Sequence, residues 1–60
     1  MRAKDLFKKY PDFWKEVEAG VRVQLTIHAN QIPLRLRRLI AHNAAFCATL
    51  ALHERKQTKP

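Results

Sequence analysis

The sequence predicts a small all-α domain: a two-helix hairpin over about residues 11–29 and 33–56, preceded by a short N-terminal turn and assembling into a helical-bundle dimer. The run from Leu34 to about Lys56 is rich in Leu, Ala and Arg, all strong helix formers, and holds no glycine or proline. Upstream, Tyr10, Trp14, Val17, Val21, Leu25, His28 and Ile32 recur at the three- and four-residue spacings of one helical face. The chain has only 60 residues. A chain that short buries about 60% of its unfolded surface, and its core supplies about 3–5 kcal/mol, so a second copy is the natural supplement.

Each element has a local reason. Arg2–Lys9 can form a helical turn, which Pro11 ends because proline disfavours the α region at the residue before it. Pro11 then opens the first long helix, with Asp12 and Glu16 near its positive end. Gly20 in mid-helix and the β-branched Val21, Val23, Thr26 and Ile27 oppose that helix. They support an alternative, strand-helix-helix, in which Val21, Val23, Leu25, Ile27 and Ala29 alternate with polar residues. Residues 21–29 would then pair between chains, because a lone strand has no partner in its own. Asn30-Gln31-Ile32-Pro33 reads as a turn in either case.

On the last helix, Leu36, Leu39, Ile40, Asn43, Cys47 and Leu50 form the expected main core stripe. A second face carries Leu34, Ala41, Ala45, Ala48 and Leu52, small enough for another helix to approach closely. One partner helix cannot cover both faces. The expected oligomer interface is therefore Leu36, Ile40, Asn43, Cys47 and Leu50 together with Ala45 and Leu52. Asn43, polar within the apolar stripe, would fix register by meeting its symmetry mate; in the strand alternative it caps a third helix. Residues 1–60 make a single domain, with a frayed tail expected from about residue 57.

Charge is unevenly placed. The chain holds 12 Lys and Arg against 5 Asp and Glu, a net +7. Residues 1–20 contribute 5 − 4 = +1 and residues 21–60 contribute 7 − 1 = +6. Such asymmetry suggests a polyanionic partner. The least polar run, Leu39–Leu52, is shorter than the roughly 20 apolar residues a bilayer span needs, and no signal-peptide core opens the chain. A single cysteine allows no internal disulfide and fits a reducing compartment, so a cytoplasmic location is expected.

Candidate chemistry concentrates on one edge of the last helix. Arg35, Arg38, His42, Thr49, His53 and Lys56 fall within about 60° of one another, a basic ridge about 30 Å long. Arg22 extends it if the first helix packs alongside. Such an edge can follow a phosphate backbone, although it would equally keep an apolar helix in solution. The absence of interleaved acids favours the nucleic-acid role. His42 and His53 lie about 16 Å apart along the axis, too far to share a metal, and one cysteine makes no ligand set. Cys47 reads as a small buried hydrophobe and His28 as a satisfied residue of the apolar stripe. No glycine-rich loop or paired carboxylates suggest catalysis, so neither enzymatic activity nor a cofactor is expected. Phe7, Tyr10, Phe13 and Trp14 cluster near the N-terminus, either closing the end of the core or offering Phe13 and Trp14 as anchors for another protein.

The hairpin plan is similar to that of small plasmid-encoded RNA-binding hairpins that control copy number, a likeness of plan and not of motif. The strand-helix-helix order over residues 21–57 resembles the ribbon-helix-helix repressors. That resemblance implies that Arg22, Gln24 and Thr26 would project into the major groove. Two functions follow as expectations: a nucleic-acid-binding regulator or accessory protein acting as an oligomer, or a phage- or plasmid-type inhibitor or adaptor that binds an acidic or grooved protein surface.

Overall fold

A computed structural model describes residues 2–57. All regular structure among them is helical: α1 (Ala3–Lys9), α2 (Pro11–His28) and α3 (Leu34–Gln57). The expected N-terminal turn is thus a true third helix. The expected frayed tail falls at residues 58–60, outside the described residues, apart from Gln57, which closes α3. Tyr10 is the joint between α1 and α2, at φ −128° and ψ 62°. Its N–H still donates to Leu6 O at 3.1 Å and its carbonyl accepts from Trp14 at 3.3 Å. Pro11 has no N–H to continue α1 but is pre-set to start α2.

Residues 21–28 continue α2 without a break, which overturns the strand alternative and, with it, the ribbon-helix-helix resemblance. Tertiary packing outweighs the β-branched residues here. Trp14, Val17, Val21, Leu25 and Ile32 are all half-buried along the side of α2 and its following turn, while His28, expected in the same stripe, is exposed. A strand would have given those apolar groups no cover within the chain. Ala29 closes α2 by donating to Leu25 O at 2.8 Å, and Ile32 donates to Ala29 O at 3.1 Å within the turn.

Gly20 does not earn its place by close packing, since a Cβ there would meet nothing within 4 Å. Gly20→Ala should therefore stabilise the protein by about 1 kcal/mol, mainly by restricting the unfolded chain. Thermal unfolding followed by circular dichroism checks this; an unchanged or lower midpoint would show that α2 needs flexibility at that point.

α3 packs along α2, and α1 folds against both. The molecule is a rod of 44 × 20 × 15 Å, so its interior is thin. Only Leu6, Ala41, Ala45 and Thr49 are fully buried among the described residues. Thr49 satisfies its hydroxyl locally by donating to Ala45 O at 2.7 Å. The face of α3 turned inward is therefore the small one. Close helix packing favours short side chains at the contact, because these set the interaxial distance. This corrects the expected core: Leu36, Leu39, Ile40, Asn43 and Cys47 are exposed, and only Leu50 is half-buried. Cys47 is likewise an exposed thiol and not a buried hydrophobe. Ala45 and Leu52, expected between copies, lie on the face that packs within the chain.

Candidate functional site

The same rotation of α3 rearranges the expected basic ridge. Its C-terminal two-thirds lies under the aromatic end of the molecule. Thr49 is fully buried and cannot touch a phosphate. His53 Nδ1 shares a 3.0 Å hydrogen bond with the Tyr10 hydroxyl, and the two rings meet edge-on at 5.9 Å. Lys56 Nζ stands 5.1 Å from the centre of the Tyr10 ring, a cation–π distance. His42 meets Phe7 edge-on at 5.1 Å and Trp14 at 6.2 Å, with Nδ1 at 3.7 Å from the Glu18 carboxylate. These residues hold α1 and the start of α2 against α3.

The aromatic residues are spent in the same way. Phe7 stacks on Trp14 at 4.4 Å with 25° between the planes, and meets Phe46 edge-on at 6.2 Å. Phe13 and Trp14 are both half-buried, so this cluster closes the end of the core. The physical logic is that flat rings fill the space over small residues that aliphatic branches would leave uneven.

The other arginines of the expected ridge lie, with Arg37, toward the opposite end, where α2 turns into α3. Arg22 comes from α2, and Arg35, Arg37 and Arg38 from the first turns of α3. No acidic residue occurs between Glu18 and Glu54. Arg22, Arg35 and Arg38 form no ion pair among the described residues and are exposed. Arg37 is fixed by donation from its Nη1 to Thr26 Oγ1 at 3.2 Å, and the threonine hydroxyl in turn donates to Arg22 O at 2.9 Å. Its Nε is buried without a partner. The first turn of α3 carries no acid, so the positive end of the helix dipole adds to the arginine charge.

Arg22, Arg37 and Arg38 also line an open trough of about 410 Å³ between α2 and α3. Its apolar lining includes Val23, Ile27 and Leu34, which are 54, 62 and 51% exposed. Arg37 and the trough were not singled out from the sequence. The i, i+4 pair Val23 and Ile27 was a signal for them, since it falls outside the stripe that packs on α3. A separate apolar surface runs along the outer side of α3 through Leu36, Ile40, Asn43, Cys47 and Leu50, with Leu39 beside it. The four-and-three spacing of those residues is that of a coiled-coil seam.

No group of three or more His, Cys, Asp or Glu among the described residues is placed to hold a metal. No helix among them is long and apolar enough to cross a membrane. No protein-family model, curated protein or solved structure matches the chain. The surface presents four arginines near the turn between α2 and α3, an apolar trough beside them, and an exposed seam along α3.

Proposed function

We propose that the protein is a non-enzymatic, cytoplasmic nucleic-acid-binding regulator or accessory protein that acts as an oligomer. The observation that carries this is the arginine end, where Arg22, Arg35 and Arg38 have no ion-pair partner among the described residues and stand beside the N-terminus of α3. Unpaired guanidinium groups repel one another and the helix dipole, and a phosphate backbone relieves both. The contact set is narrower than the ridge read from the sequence. Arg22, Arg35, Arg37 and Arg38 carry it; Thr49 is buried, and His42 and Lys56 stay exposed beside the aromatic cluster.

Self-association is supported by the outer seam of α3. A single large side chain, Leu6, is fully buried, whereas Leu36, Leu39 and Ile40 are 47, 55 and 42% exposed. Two copies meeting along the seam would bring Asn43 against its symmetry mate or close to it, and would cover the leucines.

A protein target is the second reading, favoured by the apolar lining of the trough among its arginines. A phosphodiester has no group that gains from covering Val23 or Ile27.

Fluorescence anisotropy of labelled duplex DNA and structured RNA, titrated at three salt concentrations, tests the nucleic-acid function. Binding should weaken linearly in log–log form as salt rises, with a slope of several units. Arg35→Ala with Arg38→Ala should lower that slope by about 2 and weaken binding to all sequences alike. Absence of binding at low salt, or a slope untouched by the double substitution, would remove the arginine end from this role.

A further inference from the structure

We propose that the trough between α2 and α3 is a docking groove for an acidic amphipathic helix of a partner protein, an inference that rests on the protein-target reading. Its apolar part is built from Val23 and Ile27, one turn apart on α2, and Leu34 at the start of α3. These side chains are more than half exposed, so they gain from being covered. Arg22, Arg37 and Arg38 border them, with no acid on the lining. Charge complementarity thus specifies carboxylates on the occupant, and the apolar lining specifies that they flank an apolar stripe.

The shape selects a helix over a small molecule. Its apolar lining is more than half exposed, so the trough is shallow and a small ligand would stay partly in water. A helix laid between two others buries one face and leaves its far side solvated, the ordinary geometry of a groove-bound amphipathic helix. Arg37 is already oriented for this. Its Nη1 is tied to Thr26 Oγ1 at 3.2 Å, which fixes the guanidinium beside the apolar lining. Arg22 and Arg38 have no ion pair among the described residues to break on binding. Arg35 does not line the trough, which separates this site from the full nucleic-acid set.

The test uses the full chain and a fluorescein-labelled peptide of about 15 residues, long enough to form a helix in a groove. Its leucines lie on one helical face and glutamates flank them; an isomer of identical composition spreads the leucines around the helix. The amphipathic peptide should bind at least about tenfold tighter than the isomer. Ile27→Asp and Arg38→Ala should each weaken it by about tenfold or more, while Arg35→Ala should change it less than about twofold. Circular dichroism checks the helical content of each variant, and because Arg38 is exposed its substitution tests the groove even if Ile27→Asp unfolds.

Equal binding of the two peptides, or none by either, overturns the groove. So does undiminished affinity in folded Ile27→Asp. Loss on Phe13→Ala with Trp14→Ala, but not on Ile27→Asp, overturns the groove while keeping a protein target elsewhere on the molecule. If Ile27→Asp instead abolishes self-association in sedimentation, a second copy fills the trough and the inference fails.

Discussion

Ala45→Leu should remove about 1–3 kcal/mol, a large share of the protein's stability. Ala45 has no exposed surface and lies in the middle of the α3 face that packs on the other two helices. Three added carbons must push those helices apart, and overpacking of this kind costs about 1–3 kcal/mol or more. A core worth about 3–5 kcal/mol leaves little margin for it. Urea unfolding followed by circular dichroism measures the effect. Ala51→Leu is the control, because Ala51 is exposed on the same helix and the identical change should stay within about 0.5 kcal/mol. Equal effects at the two positions would mean that the inward face of α3 has been misassigned.

Ile40→Asp should convert the proposed oligomer into a monomer without loss of helix. Ile40 is 42% exposed within one copy, so the substitution removes little internal packing. In a two-fold assembly along the outer seam the change enters twice and places two carboxylates near one another. Losing two buried isoleucines, at about 1.5–3 kcal/mol each, corresponds to at least about a hundredfold weaker association. Sedimentation equilibrium against protein concentration reads this directly. Asn43→Leu provides the opposite sign: a seam made wholly apolar should associate more tightly and lose its single oligomer number. A wild-type protein that stays monomeric at concentrations of about 100 μM would end the proposal that the seam joins copies.

The two experiments probe opposite sides of one helix, and that helix shows how far periodicity reaches. The 24 residues of α3 present two apolar faces, one of leucines and isoleucine and one of alanines. Spacing identifies both faces with equal clarity. Hydrophobicity alone favours burying the larger, which is why Leu36, Ile40 and Cys47 were expected in the core. Packing chose the smaller because helices of a thin rod must approach closely to bury anything at all. The basic ridge followed the same rotation, taking Thr49 inside and laying His42 and His53 against the aromatic rings.

The sequence by itself determined the helical class, the turn between α2 and α3, the stripe along α2 and the excess of positive charge near the second half of the chain. Those properties are local: they depend on propensity, on the placing of Pro11 and Pro33, and on side chains three or four residues apart. Only the tertiary structure decided that residues 3–9 complete a third helix, that α2 continues through Gly20 and the β-branched run, and which side of α3 faces inward. It also decided that Arg22, Arg37 and Arg38 gather at the hairpin end beside an apolar trough. Those outcomes depend on which surfaces cover one another, and no residue's own spacing encodes its contact with a side chain 43 positions away, as Tyr10 meets His53.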